Sequence, residues 1–272
     1  MPLDFWKMNG AGNDFVVIDN RDGSSVLTTD QIALLCHRQR GVGADGLLAI
    51  ELAEHEGDFR MRYYNADGGE AEMCGNGARC FARIARHLAS GEPDTISFET
   101  PAGLISATFP GNHVRIALSD PFDLEMHHSL EVESLGTVPV SSINTGVPHA
   151  VVAVDDVEAV DVMSVGKSIR FANHFAPAGT NVNIMQPLDP GKIRIRTYER
   201  GVEGETLACG TGMAACALIH HQETGTPSPI EVLVEGGDTL EVDFQATDSG
   251  AFLEVFLTGP AEVVFQGSLT QI

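Results

Sequence analysis

One stretch of this chain occurs twice, and the two copies stand half a chain apart. Gly69-Glu70-Ala71-Glu72-Met73-Cys74-Gly75-Asn76-Gly77 aligns with Gly204-Glu205-Thr206-Leu207-Ala208-Cys209-Gly210-Thr211-Gly212 at an offset of 135 (204 − 69), with five of nine positions identical. Upstream, Arg60, Arg62 and Tyr64 match Arg194, Arg196 and Tyr198 at an offset of 134 (194 − 60), and Val16-Val17 matches Val151-Val152 at 135. Half of 272 residues is 136. Glycine-rich segments align easily, but the Arg-x-Arg-x-Tyr match does not depend on glycine. A repeat of this length predicts two similar lobes.

Each copy runs in the same order. Phe59 to Tyr64 and Ile193 to Tyr198 alternate as strands. A glycine-rich turn carrying a cysteine follows, and then a helix. In the first copy Phe81, Ile84, Ala85 and Leu88 share a helical face, and Gly91 is the expected stop. In the second, Met213 to Ile219 is apolar all round, as a buried helix is, and Gly225 is the stop. Arg83, Arg86, His87, His220 and His221 lie toward the helix C-termini, where positive charge suits the dipole. Short strands come next: Thr95–Thr100, Leu104–Phe109 and Val114–Leu118, then Ile230–Glu235, Thr239–Phe244 and Phe252–Leu257. The expected fold is α+β, two pseudo-symmetric lobes, each a mostly antiparallel sheet wrapped around a buried helix. The boundary is expected near Ser119-Asp120-Pro121, giving lobes 1–118 and 119–262.

Sixteen basic residues against 38 acidic give a net charge of −22, which repels phosphate backbones and anionic membrane surfaces. Nucleic acid and membrane are therefore not expected partners. No stretch approaches the ~20 apolar residues of a membrane span, and the start MPLDFWKMNG lacks a signal pattern, so a cytoplasmic location is expected. Five cysteines (Cys36, Cys74, Cys80, Cys209, Cys216) at non-zinc spacings argue against a disulfide framework or a metal centre. Gly41-Val42-Gly43-Ala44-Asp45-Gly46 satisfies G-x-G-x-x-G, but a helix capped at Thr29-Asp30 precedes it and the strand Leu47–Ile50 follows, the reverse of a nucleotide fingerprint. Gly166-Lys167-Ser168 resembles a P-loop end, but Asp161 stands where the upstream glycine is required.

Cys36, Cys80 and Cys216 read as small buried hydrophobes. Cys74 and Cys209 differ, because each precedes Gly-x-Gly and a helix. The unpaired N–H groups and positive dipole end of a helix lower a thiol pKa from about 8.5 and can hold a carboxylate. Two such sites facing one substrate could invert a stereocentre: a thiolate takes the proton from one face and a thiol returns it on the other. The helix N-termini would stabilise the charge flowing into the carboxylate. The competing reading is two structural cysteines retained through shared ancestry of the lobes.

The segments Asn9-Gly-Ala-Gly-Asn-Asp-Phe15, Tyr64-Asn-Ala-Asp-Gly68, Met73-Cys-Gly-Asn-Gly-Ala-Arg-Cys80, Gly146-Val-Pro-His149, Gly179-Thr-Asn181, Tyr198-Glu-Arg-Gly201 and Ala208-Cys-Gly-Thr-Gly212 resemble the diaminopimelate epimerase family, in the family's order and over essentially the whole chain. The cysteine motifs alone indicate only the wider group of cofactor-independent racemases. Asn76-Gly77 after Cys74-Gly75, together with Asn65-Ala-Asp-Gly68 and Tyr198-Glu-Arg-Gly201, points to the epimerase; proline racemase-like proteins usually carry histidine at the place of Asn76. The resemblance implies interconversion of LL- and meso-2,6-diaminopimelate without PLP or metal, by a cytoplasmic homodimer whose last strand, within 263–272, returns to the first lobe. It implies Cys74 and Cys209 as the acid/base pair, with Gly75, Asn76, Gly210 and Thr211 offering backbone N–H groups to the reacting carboxylate. It implies substrate contacts from Asn13, Asn65, Asn181, Glu199 and Arg200, with His149 and Glu199 supporting catalysis. An arginine fork suits a carboxylate, and a glutamate accepts from an ammonium. Gly46 stands where some members have glutamine, Val147 where some have asparagine, and Phe265 where some have tyrosine at the dimer contact.

Overall fold

A computed structural model describes residues 2–71, 73–132 and 135–270; Glu72 of the first repeat copy lies outside them. The chain divides into two compact units, Met1–Ile116 with Gly259–Ile272, and Ala117–Thr258.

In the first unit, β1 (Leu3–Gly10) and β2 (Asn13–Asp19) form a hairpin. Its turn residues Ala11 and Gly12 both have positive φ, +61° and +91°, the combination that matches the twist of the flanking strands. α1 (Thr29–Cys36) crosses over to β3 (Gly46–Leu52), which pairs parallel with β2. The cap of α1 is Thr28, one residue before the expected position. Its hydroxyl accepts from the Gln31 N–H at 3.3 Å, and the Gln31 side chain accepts from the Thr28 N–H at 2.9 Å. Ile32 and Leu35 of α1 pack with Val16, Ile18 and Leu47 on one side of the sheet. β4 (Phe59–Asn65) is antiparallel to β3, and β5 (Glu70–Ala71) turns back along β4.

α2 (Gly75–Leu88) packs on β1 to β4. It is buried from its first residue through Ala82, including the whole of Arg79. The helix ends three residues before the expected Gly91: Ala89, in an extended conformation, bonds back to the carbonyls of Ala85 and Arg86. β6 (Thr95–Thr100) lies parallel to β4, and β7 (Gly103–Thr108) and β8 (Val114–Ala117) complete the meander. The last strand of the chain, Glu262–Leu269, pairs antiparallel with β1.

The second unit repeats this plan after an added hairpin strand, β9 (Phe122–Val132), which pairs with β10 (Gly136–Asn144). β11 (Pro148–Ala153) leads through α3 (Val162–Arg170) to its parallel partner β12 (Asn181–Asp189). Gly166 lies inside α3, where an added Cβ would stand 2.3 Å from Tyr198 Cβ, so this glycine serves close helix–strand packing. β13 (Lys192–Glu199) is antiparallel to β12, and β14 (Gly204–Thr206) folds back on it. α4 (Gly210–Thr224) is buried from Gly212 to His220 and ends at Gly225 in the left-handed conformation, φ +71°. β15 (Ile230–Leu233) is parallel to β13, and β16 (Thr239–Ala246) and β17 (Phe252–Gly259) follow antiparallel; the last strand, Glu262–Leu269, is β18. Among the described residues no helix is long and apolar enough to cross a membrane.

The sheet registers fix which residues of the two units correspond. In the first, Gly46 pairs with Phe15, and Leu48 with Tyr63. In the second, Asn181 pairs with His149, and Asn183 with Thr197. Phe15 therefore occupies the place of His149, and Leu48 that of Asn183. Val17 corresponds to Val151 rather than Val152, a one-residue correction to the sequence alignment.

Candidate functional site

Cys74 and Cys209 occupy the same position in their units, the residue preceding a buried helix. Cys74 is extended (φ −139°, ψ 120°), and its carbonyl accepts the Ala78 N–H at 2.7 Å. Cys209 (φ −121°, ψ 110°) accepts the Met213 N–H at 2.9 Å. The N–H groups of the first turn point out of each helix start, and these belong to Gly75, Asn76 and Gly77 in one unit and to Gly210, Thr211 and Gly212 in the other.

In the first unit the helix start is held by side-chain amides. Asn76 Nδ2 donates to Asn13 Oδ1 at 2.6 Å, and Asn13 Nδ2 donates to Asp45 Oδ2 at 3.0 Å. Arg79, fully buried, donates to Asn76 Oδ1 at 3.1 Å, to the Gly10 carbonyl at 3.3 Å and to the Pro260 carbonyl at 3.2 Å. Sequence reasoning gave Arg79 no role; its place between Ala78 and Cys80, beside the buried face of the helix, was the available signal. Gly10 permits this approach, since a Cβ there would meet Asn76 O at 2.8 Å and Cys80 Sγ at 2.9 Å.

Outward from Asn13, Arg38 bridges Asp45 and Asp14, and Lys7 donates to Asp14. Burial opposes ionisation of Asp14, but hydrogen bonds from Arg38 and Lys7 prevail and bring its pKa to about 2. Asn65 lies at the exposed end of β4, accepting from Tyr63 Oη at 2.8 Å. Gly46 pairs with it in register, and a Cβ at Gly46 would fall 2.7 Å from the Tyr63 ring. The Tyr63 ring fills the space that a side chain at position 46 would need.

In the second unit the neighbourhood is polar where its counterpart is apolar. Gly77 faces Phe15 and Leu48, whereas Gly212 faces Asn183, whose Oδ1 lies 2.4 Å from where a Cβ would stand. Thr211 Oγ1 lies 3.7 Å from Cys209 Sγ and 2.9 Å from His149 Nε2, and the Thr211 carbonyl accepts from Thr145 Oγ1 at 2.9 Å. His149 is fully buried, and desolvation, reinforced by the positive charge of Arg200, pushes its pKa down to about 3. It is therefore a neutral imidazole at ordinary pH. Asn183 and Thr145 were not foreseen, although an asparagine inside the apolar run Val182 to Met185 marks a buried polar group needing partners.

Asn181 Oδ1 accepts the Arg200 backbone N–H at 2.8 Å, and its Nδ2 donates to the Pro148 carbonyl at 3.0 Å. Its amide thus ties the Arg200 turn to the strand that carries His149. The Arg200 guanidinium donates to the Ala178 carbonyl at 3.3 Å. Glu199, partly buried at the end of β13, has its pKa raised by burial. Burial disfavours the thiolate of the three cysteines outside these helix starts: Cys36 is pushed up to about 11, Cys80 to about 12, and Cys216 well above the ordinary thiol value.

The fold is one shared by solved proteins of low sequence similarity. A Bacillus anthracis phenazine biosynthesis protein of the PhzF family superposes with a TM-score of 0.76 at 15% identity, over 100% of both chains. A probable proline racemase from Agrobacterium radiobacter K84 superposes with a TM-score of 0.72 at 16% identity, over 99% of this chain and 92% of the other. These likenesses define the fold class, that of the PhzF and proline racemase-like proteins. The diaminopimelate epimerase family model matches residues 5–118 and 141–264. The diaminopimelate epimerase of Aquifex aeolicus strain VF5 is 44% identical over 283 aligned positions, covering 99% of this chain and 98% of the relative. The chain belongs to the diaminopimelate epimerase family, isomerases of the diaminopimelate and lysine pathway that work without PLP.

Proposed function

We propose that this chain interconverts LL- and meso-2,6-diaminopimelate by moving the proton at Cα, with Cys74 and Cys209 as acid and base exchanging roles with direction. The observation that carries this reading is the equivalence of the two cysteines: each precedes the first turn of the buried helix in one of two units with the same strand order. A thiolate removes the α-proton, the electron pair flows into the α-carboxylate, and the other thiol delivers its proton to the opposite face. The first-turn N–H groups of Gly75, Asn76, Gly210 and Thr211 meet the carboxylate charge as it grows. No electron-sink cofactor and no metal enters this scheme.

Arg200 presents a planar fork suited to a carboxylate, and Glu199 suits an ammonium or a transferable proton because burial raises its pKa. Asn13, Asn65 and Asn181 supply polar contacts, with Asn181 also fixing the Arg200 backbone. His149 supports catalysis as a neutral donor. We place the enzyme in the cytoplasm, where thiols stay reduced. We also propose a homodimer: Val263, Val264 and Phe265 are exposed together on β18, and an apolar strand surface of this kind is normally covered. Light scattering would report about twice the 29.0 kDa chain mass if so, and the chain mass itself if not.

The deciding experiment is NMR of LL-diaminopimelate in D2O with the purified protein. The reading requires loss of the Cα proton signal together with appearance of the meso form. Exchange confined to proline or hydroxyproline would replace it with a related racemase activity.

A further inference from the structure

The two units differ where their similarity matters most. Against the first glycine-rich turn stand Phe15 and Leu48; at the corresponding places in the second unit stand His149 and Asn183, both fully buried. Burying an imidazole and an amide costs free energy that a phenyl ring and an isobutyl group do not, unless every polar atom is partnered. Here the partners fall into a chain with one direction. Asn183 Nδ2 donates to the Ala150 carbonyl at 3.1 Å, which can only accept, so the NH2 end of the amide faces that way. Asn183 Oδ1 accordingly accepts from Thr197 Oγ1 at 3.0 Å. The same NH2 group lies 3.2 Å from His149 Nδ1, which must therefore be the unprotonated nitrogen. A neutral imidazole has one proton, so it is on Nε2 and is donated to Thr211 Oγ1 at 2.9 Å. The Thr211 oxygen then accepts from the imidazole, which turns one lone pair toward His149 and leaves its own hydrogen available to Cys209 Sγ at 3.7 Å.

We infer that Asn183 is a positioning residue that fixes the Nε2–H tautomer of His149, and that the Thr211 hydroxyl carries this polarity to Cys209 as a hydrogen bond favouring the thiolate. This rests on the proposed proton transfer at Cα and deepens it, because it assigns the standing base to the second unit. No atom changes owner along the chain; it acts by orientation alone. The charged group acting on His149 is Arg200, which every variant below retains.

The test reverses the chain's direction. In Asn183→Asp, the carboxylate can only accept, which favours the Nδ1–H tautomer; Nε2 then accepts from Thr211, and the hydroxyl hydrogen turns away from sulfur. Nitrogen-15 NMR of the imidazole, assigned with His149→Gln, reads the tautomer. Iodoacetamide labelling across pH, resolved by peptide mass spectrometry, reads the Cys209 thiol. The wild type is expected to show Nε2–H, and Asn183→Asp to show Nδ1–H with Cys209 labelling at pH 7 slowed about tenfold. Thr211→Val should slow it similarly, with the double variant no slower than either single one.

An Nδ1–H tautomer in the wild type, unchanged labelling in Thr211→Val, or additive effects in the double variant would overturn the inference. If Asn183→Asp fails to fold by circular dichroism, the wild-type tautomer and Thr211→Val decide. Cα exchange measured alongside separates the readings: wild type without exchange sinks the reaction, while tautomer and labelling still judge the chain.

Discussion

Arg196 holds Glu205 through two parallel hydrogen bonds, Nε to Oε1 at 2.7 Å and Nη2 to Oε2 at 2.8 Å. Arg62 and Glu70 form the same fork in the other unit, at 2.8 Å for both bonds. Each pair fastens the return strand to its neighbour just before a cysteine turn. They differ in setting, because Arg196 is less exposed and also donates to the carbonyls of Val157 and Val160. Arg196→Met should cost on the order of 2–3 kcal/mol in urea unfolding, by stranding those acceptors, and Arg62→Met less than about 1 kcal/mol. Equal costs would show that the fork, rather than its burial, sets the stability.

On the proposed acid/base assignment, replacing either helix-start cysteine removes one of two proton carriers and leaves the packed helix in place. Cys74→Ala and Cys209→Ala should each lower Cα exchange by at least about 10²–10⁴-fold while far-UV circular dichroism stays unchanged. Near-normal turnover in either variant would remove the acid/base assignment.

Much of this site was legible because the informative features are local. The Arg-x-Arg-x-Tyr alternation marks a half-buried strand, and Cys-Gly-x-Gly before an apolar run marks a helix start, so both are visible without knowing any contact. The parallel pairings of β2 with β3 and of β11 with β12 were not legible, since a crossover leaves no trace in period-two patterning. The Asn183–His149 contact was hidden for the same reason: the two residues lie on adjacent parallel strands, 34 positions apart. The one-residue slip at Val16-Val17 arose because two valines align equally well either way, and only the pairing of Asn181 with His149 sets the frame.

The buried thiols set a limit on alkaline stability. Cys36 and Cys80 keep their protons in the folded chain up to about 11 and about 12, because burial disfavours the thiolate, whereas unfolded cysteine ionises near about 8.5. A raised folded pKa contributes stability that is intact below the unfolded value and is lost as pH rises toward the folded one. Unfolding free energy should therefore decline above about pH 9, and Cys80→Ala should flatten that decline while lowering stability at pH 7 through the lost packing. In native protein at pH 8, iodoacetamide should leave Cys36, Cys80 and Cys216 unlabelled.

Asp14 works in the opposite sense. Its pKa of about 2 means that the folded chain prefers the carboxylate, so its contribution is present above the unfolded value near about 4 and fades as pH falls through 2. Asp14→Asn should be less stable than wild type at pH 7 by on the order of 1–2 kcal/mol, after allowing for solvent screening of Arg38. The gap should shrink as pH falls toward 2 and close below it. A gap of constant size across that range would assign the cost to shape rather than charge.

The two glycine turns offer a direct comparison of how tightly each cysteine is held. A Cβ at Gly77 would press on Leu48 and Phe15 at 3.3–3.4 Å, contacts that apolar side chains relieve by small shifts. A Cβ at Gly212 would meet Asn183 Oδ1 at 2.4 Å and Cys209 Sγ at 3.3 Å, and the amide cannot yield without leaving its partners Thr197, Ala150 and His149. Gly212→Ala should thus cost about 10²-fold or more in Cα exchange with a stability loss of about 1–3 kcal/mol, and Gly77→Ala distinctly less in exchange. Gly204→Ala, where nothing lies within 4 Å of the added carbon, should be close to neutral in both measurements. If Gly77→Ala proved the more damaging to exchange, the polar second unit would lose its claim to be the more exacting half of the site.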